Sequence, residues 1–302
     1  MIKKPFALKK GDTIRVVASS SPFEEAEFIK GVAVLKDWGF KVKFGKGIFA
    51  KKYYLAGTDH RRAQELIAAI NDPEAKAIMF ARGGYGAIRL LPLLDAVTIK
   101  APPKIMLGYS DVTCLLNYMH QRYQWGTFYG PVVAKGIYKG APDLTLNSLH
   151  ATLTSTAVPA PLSFSELTTI KHGEVKAPMV GGCLSLIASL LGTKYELDTH
   201  GKILFLEDVN EKPYQVDRML YHLKLAGKLH VCKGLVFASI IGPNPHAHYI
   251  ETIKDIMQDY DIPIVYGLPA GHTNLQLTLP LGIKMHLNTR TKSLHFMESA
   301  LK

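Results

Sequence analysis

Along the first half of this chain the spacing of apolar positions switches regularly between a strand period and a helix period. Residues 13–18 form a β-branched run, and Ser19-Ser20-Ser21-Pro22 follows as a helix entry. Apolar residues then recur at helical spacing from about 24 to 38, until Gly39 stops them. Residues 41–44 alternate apolar and basic, as a strand does. Thr58-Asp59 opens a helical stretch over 61–70, with Asn71-Asp72-Pro73 beyond it, and 77–81 is again strand-like. The pattern repeats at 104–107, where an apolar strand leads through the turn Gly108-Tyr109-Ser110 into a helical run over 111–122. Val112, Leu115, Leu116 and Met119 share one side of that run. Strand, helix, strand, helix predicts a doubly wound α/β domain, a parallel sheet covered on both faces.

The second half is less regular. From about 139 to 178 the texture turns to Pro, Thr, Ser and small residues. Ala157-Val158-Pro159-Ala160-Pro161 favours extended chain, which places a linker there and divides the chain into domains 1–155 and 156–302. Beyond it the pattern predicts a helix over 181–191 after a glycine pair and a strand over 202–206. A helix over 214–226, strands over 234–241 and 262–266, and alternating strands around 275–287 follow. That is a mixed α+β, strand-rich second domain. No internal repeat is present.

Composition narrows the class. With 302 residues, 47% hydrophobic and 20% charged, the chain has enough apolar surface for a sizeable core and reads as folded and soluble. Its formal net charge of +11 favours acidic partners, but the basic clusters Lys3-Lys4, Lys9-Lys10 and Lys51-Lys52 are short and read as a solvated rim. Cys114, Cys183 and Cys232, odd in number and without C-x-x-C spacing, argue against a disulfide framework and against a thiolate zinc site. The first ten residues carry no apolar stretch of signal-peptide length, and no run of about 18 apolar residues follows. The expectation is a cytoplasmic protein with no membrane partner.

Three distant segments end apolar runs with groups that chemistry can use: Ser110 in Gly108-Tyr109-Ser110-Asp111, Glu207 in Phe205-Leu206-Glu207-Asp208, and His272 in Gly271-His272-Thr273-Asn274. A hydroxyl needs a base to become a nucleophile. Imidazole titrates nearest neutrality, and a carboxylate fixes its tautomer. Each residue also has a plain structural role open to it. Ser110 can cap the following helix, Glu207 can pair with Arg218, and His272 can be a satisfied loop histidine.

Taken together, Arg82-Gly83-Gly84-Tyr85-Gly86-Ala87-Ile88-Arg89, Gly108-Tyr109-Ser110-Asp111-Val112-Thr113, Phe205-Leu206-Glu207-Asp208-Val209, Pro213-Tyr214-Gln215-Val216-Asp217-Arg218 and Gly271-His272 leading to Leu279-Pro280-Leu281-Gly282 resemble the LD-carboxypeptidase family of serine peptidases. That family also contains the microcin-immunity hydrolases. The likeness runs in order from Gly11 to Gly282. It implies Ser110 as nucleophile, His272 as general base and Glu207 as the acid that orients it. It further implies release of a terminal D-residue, typically D-alanine, from murein tetrapeptides in cell-wall recycling, with no cofactor or metal, by a homodimer.

A glycine-rich turn after a strand brings main-chain N–H groups close to substrate, so the N–H groups of Gly84 and Asp111 are the candidate oxyanion hole. The turn is neither G-x-G-x-x-G nor a P-loop. A carboxypeptidase must hold a free carboxylate, and Arg82 beside that turn is the candidate fork, with a structural ion pair as its alternative. Two departures stand out: the nucleophile segment lacks the second glycine of G-x-S-x-G, and Cys183 stands where the family commonly has asparagine. His246 and His248 could share a strand face and bind a metal, but with no third ligand they read as a surface loop, and Cys114 is expected in the core. The rivals are a microcin-immunity type hydrolase acting on a peptidyl-nucleotide and, from another class, a basic nucleic-acid-binding protein. The first reading, a small peptide substrate with no nucleic acid, takes precedence.

Overall fold

Five segments of the first half become strands: β1 (Thr13–Val17), β2 (Lys41–Phe44), β3 (Ala75–Phe80), β4 (Ile105–Gly108) and β5 (Thr127–Tyr129). The computed structural model of the chain describes residues 2–160 and 162–302. Met1, and Pro161 of the proline-bearing segment, lie outside the described residues. β1 pairs in parallel with β2 on one side and β3 on the other, and the parallel ladder continues through β4 to β5. A sixth strand, Leu279–Leu281, sits on the far edge beside β5. Nearly every residue of β1, β3 and β4 is buried, as a sheet covered on both faces requires. On one face Ile14, Val16, Ala77, Met79, Ile105 and Leu107 pack with Phe28 and Leu35 of the helix Glu25–Asp37.

Because the chain steps outward from β1 to β2 and then crosses back to β3, the loops leaving β1 and β3 diverge. That reversal leaves a crevice at the carboxyl ends of the strands, where open α/β sheets bind ligands. The helix Glu25–Asp37 starts three residues after Pro22, so Ser19-Ser20-Ser21-Pro22 is crevice loop rather than helix entry. Ser19 and Ser20 are buried in that loop.

The chain forms two compact units. The first runs through Thr156 and recruits Leu277–Pro280 and Ala300–Lys302; the second holds Ala157–Gln276 and Leu281–Ser299. The segment read as a linker from 139 onward is, over its first third, the helix Asp143–Thr154, whose Thr145, Leu149 and Leu153 are buried. Its Thr, Ser and Asn content lowers intrinsic helix preference and hides that four-residue spacing.

The second unit is built on one eight-stranded sheet. The strands are β6 (Leu162–Ser163), β7 (Thr168–Lys171), β8 (Glu174–Cys183), β9 (Ile203–Glu207), β10 (Gly234–Ala238), β11 (Ile264–Leu268), β13 (Lys284–Asn288) and β14 (Ser293–Phe296), with β12 the Leu279–Leu281 strand of the first sheet. β8, β9, β10 and β11 run parallel, while β13 pairs antiparallel with the first half of β8. The glycine pair expected to open a helix lies inside β8 instead, and the helix begins afterwards, at Leu184–Ser189. Gly181 sits so close to β9 that a Cβ on it would fall 1.9 Å from the Phe205 carbonyl oxygen. Helix Pro213–Leu225 contributes Val216, Leu220 and Leu223, and helix His246–Ile256 contributes Ile253 and Ile256. Both pack on Leu204, Leu206, Leu235 and Phe237.

Candidate active site

In the first unit, Ser110 follows β4 directly and begins a short 3-10 turn that runs into the helix Thr113–Tyr123. Its φ is +63°, a left-handed conformation that costs a non-glycine residue of order 1–3 kcal/mol and persists only where neighbours enforce it. Neither Tyr109 nor Val112, the residues preceding the two helical turns, makes a side-chain cap. The glycine turn after β3 lies against this serine. A Cβ on Gly83 would come 2.9 Å from the Ser110 Cβ and 3.2 Å from its Oγ. Gly84 has a φ of +103°, and its N–H finds no acceptor among the described residues.

Three loops are knotted together around that serine. The Ser21 N–H donates to the Gly83 carbonyl at 3.2 Å, and the Tyr85 N–H donates to Ser21 Oγ at 3.0 Å. The Asp111 carboxylate accepts from the Ala87 N–H at 2.7 Å, tying the β4 turn to the β3 turn. Burial pushes the Asp111 carboxyl above the usual carboxylate range, against the pull of its hydrogen bonds. Arg62, fully buried on helix Asp59–Asn71, donates to the carbonyl oxygens of Ser19 and Gly86 and to the Asp59 carboxylate. Arg82 donates from Nη1 to the Pro22 carbonyl at 2.6 Å.

In the second unit, Glu207 ends β9 and its side chain is wholly shielded from solvent. One oxygen, Oε2, accepts from the His272 backbone N–H at 3.0 Å and from His272 Nδ1 at 2.7 Å. With Nδ1–H given to the carboxylate, the neutral ring keeps Nε2 as its acceptor. Gly271, at φ +76°, makes this approach feasible, since a Cβ there would fall 2.3 Å from Glu207 Oε2. Burial pushes the imidazole's pKa down. The Glu207 hydrogen bond, with the charges of Glu207 and Asp208, outweighs that and leaves it raised above the ordinary histidine value. The carboxylate is thus engaged by His272 rather than by Arg218.

Asp208, next along the chain, accepts from the Ser185 N–H at 2.7 Å and the Val209 N–H at 2.8 Å. It caps the helix Leu184–Ser189 from the neighbouring strand, so residue 183 is not needed for that purpose. Burial, with the Glu207 charge added, raises the Asp208 carboxyl to about 6. Cys183 lies opposite Glu207 in the β8–β9 ladder, and burial, then the charges of Asp208 and Glu207, push its thiol well up. Cys114 is buried, its Sγ donating to the Asp111 carbonyl at 3.3 Å.

His246 and His248 do not share a strand. They open the helix His246–Ile256, where His246 Nδ1 lies 2.8 Å from the Tyr266 hydroxyl. The strand expected over 234–241 stops earlier, at Ala238. Among the described residues no group of three potential metal ligands exists.

Arg62, Ser21, Asp208 and the Tyr129 hydroxyl, which accepts from the Ser110 N–H at 3.0 Å, were not singled out from sequence. Arg62 did leave a signal: it stands in line with the buried Leu66, Ala69 and Ile70, a charge on an apolar stripe. The other three leave none, because Ser21 bonds Gly83 and Tyr85, Asp208 bonds Ser185 and Tyr129 bonds Ser110, all far away in the sequence.

A strained serine at a strand-to-helix junction and a carboxylate-bound histidine are the parts of a serine hydrolase. Family profiles for the LD-carboxypeptidase N-terminal domain and the LD-carboxypeptidase C-terminal domain match residues 14–130 and 176–287, and the chain belongs to that family of serine peptidases. It is 37% identical over 298 residues to the probable murein peptide carboxypeptidase of Bacillus subtilis, spanning 96% of this chain and 93% of the relative. Among solved structures it is similar to muramoyltetrapeptide carboxypeptidase from Oxalobacter formigenes, with a TM-score of 0.83 and 27% identity over 93% of this chain and 97% of the other. The microcin C7 self-immunity protein MccF, solved in complex with glutamyl sulfamoyl guanosine, superposes with a TM-score of 0.89 at 26% identity over 99% of each chain. The chain is therefore a peptide-bond hydrolase of the carboxypeptidase type.

Proposed function

We propose that this enzyme removes the terminal D-amino acid, D-alanine, from murein tetrapeptides by hydrolysing the amide that joins it to an L-centred diamino acid. The observation that carries the reading is Ser110 held left-handed against the glycine turn, since such strain is retained where a hydroxyl must be presented for attack. In this reading Ser110 Oγ adds to the scissile carbonyl while His272 takes its proton, and Glu207 stabilises the imidazolium that forms. The N–H groups of Gly84 and Asp111 hold the oxyanion. Collapse breaks the C–N bond, and His272 returns the proton to the leaving amine, freeing the D-residue. Water, deprotonated by His272, then cleaves the Ser110 ester and leaves the tripeptide. By the same family likeness the enzyme works in the cytoplasm as a homodimer, recycling cell-wall peptides.

The likeness to MccF favours a second reading, a peptidyl-nucleotide hydrolase with the same three residues. A nucleobase calls for an exposed aromatic platform. Trp125 is buried and Trp38 packs edge-on to His150, so neither tryptophan offers one, whereas Tyr85 of the glycine turn is exposed beside Tyr54 and leaves a platform open to this second reading. Incubating the purified enzyme with a murein tetrapeptide and, separately, a peptidyl-nucleotide tests both. D-alanine release is expected from the first, and Ser110→Ala should abolish it while the thermal melt stays unchanged. Turnover of the nucleotide alone would replace the reading, and full activity in Ser110→Ala would end it.

Arg82 is assigned to the substrate's terminal carboxylate, because its bond to Pro22 uses one of five guanidinium N–H groups. Arg82→Ala should lower kcat/KM on the free-acid tetrapeptide about 10- to 100-fold more than on its C-terminal amide. Equal losses on both would remove it from this role.

A further inference from the structure

Ser110 is a non-glycine residue with φ at +63°, so something must keep its backbone there. The β4–β5 ladder sets Tyr129 beside Gly108, and the Gly130 N–H donates to the Gly108 carbonyl at 3.1 Å, so β5 is fixed against the strand that delivers the serine. Tyr129 is fully buried, and its hydroxyl oxygen accepts the Ser110 backbone N–H at 3.0 Å. The Tyr109 ring stands edge-on to the Tyr129 ring at 6.3 Å between centroids. The Ser110 N–H is thereby met by a side chain from the neighbouring strand.

We infer that Tyr129 is a positioning residue for the nucleophile: its hydroxyl locks the Ser110 peptide in the left-handed conformation that presents Oγ. A second consequence follows for the oxyanion. The Ser110 N–H is committed to Tyr129, so main-chain stabilisation of the developing charge falls to Gly84 and Asp111 and not to the serine's own amide. The inference rests on the proposed role of Ser110 and adds the group that holds it.

Tyr129→Phe keeps the ring and removes the hydroxyl that accepts the Ser110 N–H. On the tetrapeptide it should lower kcat about 10- to 100-fold with KM within about twofold, and slow modification of Ser110 by a fluorophosphonate to a similar degree. A residue that only supports the fold would shift the thermal melt and leave kcat per folded molecule and fluorophosphonate reactivity unchanged. That result would overturn the inference. Ser110→Ala run beside it separates the two claims. If it is inactive while Tyr129→Phe matches the parent enzyme, only the tyrosine's role fails; if it is fully active, the nucleophile assignment fails first.

Discussion

Glu207 acts on His272 through one oxygen that accepts both the ring and the backbone N–H, so its charge and its geometry cannot be separated by distance alone. They separate by pH. A general base must be neutral, and His272 titrates above the ordinary histidine value, so kcat/KM should climb along a limb lying higher than that of a free imidazole. Glu207→Gln removes the charge and should move the limb to lower pH while cutting kcat about 10²- to 10⁴-fold. A limb left in place would mean that Glu207 does not set the histidine's pKa. The same shift has a stability sign. With the folded pKa raised, the pair's contribution is fully present below the unfolded histidine value and is lost as pH rises through the folded one. Asp208, raised to about 6, makes stability fall as pH climbs from the unfolded carboxylate value towards 6, because the folded chain holds that proton longer.

At the scale of elements, β1 to β4 and their two long helices were legible because each carries a period that the parallel sheet rewards. The apolar residues of β1, β3 and β4 face cores on both sides, while β2 at the edge was readable from its alternation alone. Helix Asp143–Thr154 was not legible, since its buried stripe opens on the polar Thr145 while Leu144 faces solvent, which blurs the apolar spacing. Nor was the strand character of Gly181 and Gly182, which pattern reading takes as a break; the position of the Phe205 carbonyl explains why residue 181 has no side chain. β5 is three residues long and offers no periodicity at all, yet it holds the hydroxyl that meets Ser110. The three candidate chemical groups were readable as ends of apolar runs. What tunes them was not, because Asp208 on helix Leu184–Ser189, Arg62 on Ser19 and Gly86, and Tyr129 on Ser110 are cross-strand or cross-loop contacts.

Taken whole, the molecule does not divide at a single point of its sequence. Residues 277–280 and 300–302 belong with the first unit, although some 120 residues of the second precede them. The last residues pair with the first, Ala7 N–H to the Lys302 carbonyl and Lys302 N–H to the Pro5 carbonyl, both at 3.0 Å. A chain stopped after Gln276 loses the edge strand Leu279–Leu281 of one sheet together with β13 and β14 of the other. Such a truncation should show no cooperative melt by circular dichroism, whereas a sharp transition close to that of the full chain would show that these strands are dispensable.

The strand beside β5 has a further meaning for a chain made from its N-terminus. Once β5 has left the ribosome, its outer edge stays unclaimed while the residues up to Leu279 are synthesised, a wait of about 8–30 s at ordinary translation speeds. During that interval a nascent sheet offers bare N–H and C=O groups to any neighbouring nascent chain. Overproduction at high temperature should therefore lose this enzyme to inclusion bodies sooner than its finished stability would suggest, and slower, cooler synthesis should recover it.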